Sequence, residues 1–265
     1  MDAGQIFDAV GFRWDRSTIP TDVPAYSVQR AVFRFYKALA EFIWDASVLE
    51  GNPFTYPEVQ TLLDGITVGG HKLSDERQVL NLADSAKELR ELVIGGSFTL
   101  DKATSDYLHA IVARDEAFDA GFFRGEGEEQ RLTPGVALGE YGRYLPPETE
   151  PGGENLRRIH AAGLVALTDG IESVFEQALV YFLFGALQQF YFDGNKRTAR
   201  YMMNGHLMSH GIDAISIPAA RAREFNARMV DFYRHKDASV MIAFLTDCHP
   251  DADELVTTEM RRFLE

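Results

Sequence analysis

The chain has 265 residues, 46% hydrophobic and 25% charged, with a formal net charge of −14 and a single cysteine. This length and apolar content support a large core and exclude global disorder, while the acid surplus excludes a generic duplex-DNA or anionic-membrane binder but not a local basic pocket. One cysteine excludes an internal disulfide and a cysteine-based zinc site and suits a reducing cytoplasm.

Cys248 reads as a small buried apolar side chain. The N-terminus MDAGQIFDAVGFRWDR is acidic and lacks the basic start and apolar run of a secretory signal. Residues 1–26, punctuated by proline and threonine, are expected to form an irregular arm. From Ser27, a plausible N-cap, to Leu49, the residues Val28, Val32, Phe35, Leu39, Phe42 and Ile43 fall at helical spacing and predict one long amphipathic helix. It stops at Glu50-Gly51-Asn52-Pro53, where glycine and asparagine tolerate the left-handed conformation and proline cannot continue a helix.

Thr55 with Glu58 three residues later has capping-box spacing and opens a second helix. A third is predicted from about Ser74 to Val93, and a fourth begins near Thr99 with Asp101 early in it. Residues 119–153 are rich in glycine, proline and charge, and predict a long loop with a β-hairpin from strands Gly135–Leu138 and Arg143–Leu145. Helices resume over Glu154–Thr168 and Ile171–Leu187. The latter contains the most apolar stretch, Ala178–Leu187, which falls short of the about 20 residues needed to cross a bilayer and reads as a buried core helix. Three more are predicted over Lys196–His210, Ala219–His235 and Ala238–Cys248, giving an all-α class with one small hairpin.

The Asp193-Gly194-Asn195 turn before a helix leaves backbone N–H groups unpaired in the first helical turn, where they and the helix dipole attract phosphate. Lys196 and Arg197 stand at that opening, Arg200 lies three residues on, and Asp193 could hold a Mg²⁺ that bridges phosphate oxygens. On spacing alone, an ordinary interhelical turn followed by a solvated basic stripe fits equally well. Glu50 adds a second oddity, because a carboxylate at a helix C-terminus faces the negative end of the dipole and calls for a compensating cation.

Together, the run QFYFDGNKRTAR (189–200) and the stretch ASVLEGN (46–52) resemble the Fic family, whose core motif is HxFxDGN(G/K)RxxR and whose N-terminal inhibitory motif is (S/T)xxxE(G/N). The resemblance covers roughly residues 27–248. It implies an all-α, Fic-like helical bundle with a small β-hairpin flap. Residues 1–95 would hold the arm and helices, including an inhibitory helix at 27–50; residues 96–250 the Fic core, with a flap at about 135–145; and residues 251–265 a tail.

By resemblance the chain is a cytoplasmic protein adenylyltransferase that moves AMP from ATP, with Mg²⁺, to a Ser, Thr or Tyr hydroxyl of a target protein docked on the flap. No nucleic-acid or membrane partner is implied, and a homodimer stays open. Asp193 would bind Mg²⁺. Gly194, Asn195 and Lys196 would form an anion hole, with the Asn195 side chain on phosphate, and Arg197 would hold the α/β region. Arg200 would grip the γ-phosphate when active and pair with Glu50 at rest, in the inhibitory segment Glu50, Gly51, Asn52.

Three positions depart from the motifs. Ala46 stands in place of Ser or Thr. Tyr191 replaces a phenylalanine, so its hydroxyl needs a partner if buried. Gln189 replaces the catalytic histidine and cannot accept a proton near neutral pH, which points to weak or absent transfer with nucleotide binding retained. Two other classes remain open: a catalytically inactive nucleotide-binding pseudoenzyme, and a de-AMPylating hydrolase with Glu50 as base and Gln189 as water positioner. None of the seven histidines falls in the motif, and His109, His160, His206 and His210 read as structural or surface residues.

Overall fold

A computed structural model describes residues 1–255; the expected tail 251–265 lies outside them from residue 256 on. The N-terminal arm is less irregular than its composition suggests, because it contains α1 (Ala3–Val10). Asp2 accepts the Gln5 N–H at 2.9 Å while Gln5 accepts that of Asp2 at 3.0 Å, and Ile6 and Val10 are buried. A helix of two turns containing Gly4 carries too little periodicity to stand out in the sequence. Beyond it, the Trp14 indole N–H (2.8 Å) and the Arg16 guanidinium (2.7 and 2.8 Å) converge on the buried carboxylate of Glu176 and fasten the arm to the core.

The single helix expected over 27–49 is two, α2 (Val28–Lys37), capped by Ser27, and α3 (Leu39–Leu49), with a bend at Ala38 (φ −95°, ψ 16°). No proline or glycine causes it. Both halves pack on the helix over 73–94, beyond which the first also meets the helix over 195–209 and the second the one over 56–63, and Phe35 and Phe42 meet edge-on across the bend at 4.8 Å. Tertiary packing here overrides local propensity.

After α3 the chain reverses at Gly51 (φ 78°), and Asn52 fixes the reversal by accepting the Phe54 N–H and donating to Asp75 O and Gln78 Oε1. Helix α4 (Tyr56–Leu63) follows, its start held by Glu58, which accepts from the Thr55 N–H and hydroxyl at 2.7 Å each. Then come α5 (Leu73–Ile94) and α6 (Lys102–Val112), the latter capped by Asp101.

The long loop contains the expected hairpin in shorter form: β1 (Val136–Ala137) runs antiparallel to β2 (Arg143–Tyr144), pairing Val136 with Tyr144 and Ala137 with Arg143. Arg124, fully buried, organises the loop by donating to Gln189 O (2.6 Å), Thr149 Oγ1 (2.5 Å) and Pro147 O (2.9 Å).

The remaining helices are α7 (Glu154–Gly170), α8 (Val174–Gln188), α9 (Asn195–Ser209), α10 (Ala222–His235) and α11 (Ser239–Asp247). Helices α8 and α9 pack on each other at the centre; α8 is buried on every side from Ala178 to Gln188, as a helix apolar all round must be. No helix of the described residues is long and apolar enough to cross a membrane. The fold is all-α, with one two-stranded sheet among the described residues.

Candidate functional site

The connection between α8 and α9 is built from its own side chains. Helix α8 ends at Gln189 in the left-handed conformation (φ 51°, ψ 58°). Asn195 closes the turn by accepting the Tyr191 N–H (2.9 Å) and donating to Tyr191 O (2.7 Å) and Gln189 Oε1 (3.1 Å). The side chain expected on phosphate is therefore buried and committed to the turn, which leaves only the backbone N–H of this residue for a ligand. Asp193 Oδ1 accepts the Gly194 N–H at 2.5 Å, and Gly194 (φ 71°) sits where a Cβ would come within 3.1 Å of Ala113.

The first backbone bond of α9 runs from Thr198 N–H to Gly194 O (2.9 Å). Among the described residues, the N–H groups of Asn195, Lys196 and Arg197 have no acceptor, as is usual at a helix start and favourable for an anion.

Glu50, from the end of α3, lies 3.0 Å from Arg200 Nη2, and both side chains are largely buried. Burial raises the Glu50 carboxyl, but the positive charges of Lys196, Arg200 and Arg197 outweigh it and hold the group below its ordinary value, ionised. Arg200 Nη1 is buried with no partner.

Arg197 lies beneath the turn, its Nη2 3.6 Å from Asp193 Oδ1. It is 3% exposed and points to the C-terminal end of α6, donating to Glu116 Oε2 (2.8 Å) and Val112 O (3.4 Å), with its Nε unpartnered. Burial works against its charge, yet Glu50, Glu116 and Asp193 together raise its pKa. Glu116 gave no signal in the sequence, lying in an acidic, featureless loop.

A cleft of about 300 Å³ opens over the turn, bounded by Glu50, Tyr233, residues 134–136 leading into β1, Gln189 and residues 192–196. Gln189 is half-buried, and both ends of its amide are in use: Nε2 donates to Ala186 O (2.6 Å) and Oε1 accepts from Asn195. Tyr233, unmarked by any motif, donates its hydroxyl to Ala186 O at 3.0 Å.

Two residues assigned structural parts sit directly under the turn. Tyr191 is buried, and its hydroxyl has the partners it needs in Asp106 Oδ1 and Ser105 Oγ, each at 2.8 Å. His109 stacks flat on the Tyr191 ring (centroids 3.7 Å apart, 8° between planes); its Nε2 lies 2.9 Å from Asp193 O and its Nδ1 accepts the Gly121 N–H at 2.9 Å. Burial pushes its pKa down to about 4. His160 and His206 are also buried, whereas His210 is not.

No group of three or more potential metal ligands comes together among the described residues. The Asp193 side chain is 66% exposed beside the unpaired N–H groups. A lone carboxylate in that position fits a Mg²⁺ whose other ligands are phosphate oxygens and water, not an ion held by protein alone.

The fold and site define a helical domain with an anion-receptive helix start, screened by a carboxylate from a distant helix. No protein-family model and no curated protein matches the chain by sequence. By structure, it is similar to Fic-1 from C. elegans (TM-score 0.62, 16% identity, covering 99% of this chain and 70% of that one). It is similar as well to a Fic-domain signalling protein from Bacteroides thetaiotaomicron (TM-score 0.60, 17% identity, 96% and 97% covered). A Fic family protein from Desulfovibrio desulfuricans aligns with TM-score 0.62 at 17% identity, over 96% and 74% of the two chains. The fold is that of Fic-domain proteins.

Proposed function

We propose that the chain is a Fic-family nucleotide-binding protein, a protein adenylyltransferase held at rest by the Glu50–Arg200 ion pair and slowed by Gln189. The observation that carries this reading is the pair itself, a carboxylate brought 150 residues along the chain to a buried arginine beside three unpaired helix-start N–H groups. An isolated turn would need no such partner. The unpartnered N–H of Arg200 Nη1 supports a missing anionic acceptor.

In this reading the N–H groups of residues 195–197 and the Lys196 side chain receive phosphate oxygens, and Arg200 takes the terminal phosphate once Glu50 withdraws. Mg²⁺ held by Asp193 supplies charge neutralisation on the phosphates when bound. Arg197 acts from beneath the turn, through its charge and its Glu116 contact. The target docks along 135–145, whose first residues, Gly135 and Val136, line the cleft.

During transfer a target hydroxyl oxygen bonds to the α-phosphorus, the bond to pyrophosphate breaks and the hydroxyl proton passes to solvent water. Gln189 cannot take that proton, and loss of a general base costs about 10²–10⁴-fold in rate. Binding and charge stabilisation survive.

The engaged amide of Gln189 favours, as a second reading, a nucleotide-dependent binding module in which the Glu50–Arg200 pair is the switch. A de-AMPylating hydrolase has less support, because Glu50 is already paired and Gln189 is already bonded at both ends.

One experiment separates them: transfer of label from α-labelled ATP, with calorimetry of ATP and Mg²⁺ on the same proteins. The double variant Glu50→Gly, Gln189→His should bind ATP and label itself or a lysate protein, while Glu50→Gly alone binds but labels weakly. Binding without labelling by the double variant supports the module. AMP release from a modified target, abolished by Glu50→Ala, supports the hydrolase. Absence of ATP binding by every variant would overturn the site.

A further inference from the structure

We propose that His109 is a positioning residue of the nucleotide site, holding the Asp193 carbonyl so that the N–H groups at the start of α9 stay turned to the cleft. This rests on the reading of 193–200 as a phosphate site.

Two contacts of opposite kind orient the ring. Nδ1 accepts the Gly121 N–H at 2.9 Å, so the proton sits on Nε2, which donates to Asp193 O at 2.9 Å. This is the neutral imidazole in a single tautomer. The ring face is fixed as well, by its flat stack on Tyr191 at 3.7 Å, and the Tyr191 hydroxyl is gripped by Ser105 and Asp106. Residues 105, 106 and 109 fall three and four apart on α6 and so share one face, which makes α6 the cradle of the turn.

The bonded carbonyl is what links His109 to the ligand. In an α-helix the N–H of residue i bonds the carbonyl of residue i−4, so Asp193 O is the acceptor that Arg197 N–H would use if α9 began one residue earlier. His109 occupies it, and the first helical bond falls to Thr198 and Gly194. Asn195 acts in parallel on Tyr191 O, the corresponding acceptor for its own N–H. Gly194 completes the fit: a Cβ there would lie 3.5 Å from the His109 ring. His109 does not line the cleft, so its part is to set backbone geometry, not to touch the nucleotide.

The test uses the full chain with Glu50→Gly as parent, measuring ATP–Mg²⁺ affinity by calorimetry and folding by thermal unfolding. His109→Phe keeps a flat ring for Tyr191 and removes both hydrogen bonds; affinity should fall about 10- to 100-fold, the scale of one lost polar anchor at a buried site. His109→Gln keeps an Nε2–H donor and should stay within about threefold of the parent, a rescue that a purely structural role does not produce. A folded His109→Phe protein that binds within twofold of the parent overturns the proposal. If His109→Phe does not fold, His109→Gln decides: a folded Gln variant more than about tenfold weaker overturns it, and one within about threefold supports it. A parent that binds no ATP removes the functional reading beneath it, an outcome distinct from either variant result.

Discussion

Glu50→Gln is the most direct probe of the proposed switch. Glutamine keeps the size of the side chain and removes only the charge that faces Arg200 at 3.0 Å. Two unit charges about 4 Å apart attract by about 4 kcal/mol at an effective dielectric constant near 20. Desolvation offsets much of that in the intact pair, but in the variant the Arg200 charge remains buried with no opposite charge to compensate it, and breaking such a pair costs about 3–5 kcal/mol. In a domain of this size each kcal/mol lowers the unfolding temperature by about 2–4 °C, so a fall of about 6–20 °C is expected.

Nucleotide should reverse the effect. Without the carboxylate, the terminal phosphate no longer competes for Arg200, and ATP–Mg²⁺ affinity should rise about 10- to 100-fold, equivalent to about 1.4–2.7 kcal/mol. At a hundred times its dissociation constant, ATP should then restore about 2.7 kcal/mol of stability. Thermal unfolding across an ATP titration, checked by calorimetry, reads both quantities. A destabilised variant whose ATP affinity equals that of the parent chain would refute the argument, because Glu50 would then be a structural partner of Arg200 and not a brake.

Other parts of the structure make separate predictions. Burial pushes His160 and His206 down to about 4, below the 6.5 of the unfolded chain, so the unfolded state takes up protons first. Their contribution is complete above about pH 6.5 and is lost as the pH falls toward 4, by about 2 kcal/mol each at pH 5; equal urea midpoints at pH 7.5 and pH 5 would contradict this. Tyr191→Phe restores the residue type of the Fic motif, yet it strips Ser105 and Asp106 of a buried partner and should cost about 1–3 kcal/mol in urea denaturation. A neutral or stabilising result would show that the hydroxyl contacts carry no weight.

Much of the helical plan was legible because its signals are local. The predicted bounds of α5 through α9 fall within a few residues of the observed ones, Glu58 announced the start of α4, and the glycine- and proline-rich stretch after α6 marked the loop and hairpin. The misses have separate causes: helix α1 is too short to show a period, and the bend at Ala38 has no proline or glycine to reveal it, arising where α2 and α3 both pack on α5 while α3 goes on to meet α4 and α10.

At the site, the sequence by itself determined the residue types: a flexible turn, a helix start, cations behind it, an acid at the end of α3, and an amide where a base would be needed. These follow from spacing along the chain, which fixes helix faces and unpaired N–H groups. Only the tertiary structure decided how those groups are used. It seats Arg197 on Glu116 beneath the turn, turns the Asn195 side chain inward, engages both ends of the Gln189 amide, and brings His109 and Tyr233 to the site from other helices. The physical reason is that a side chain's hydrogen bonds depend on which distant atoms share its burial, and no single-chain periodicity encodes those distances.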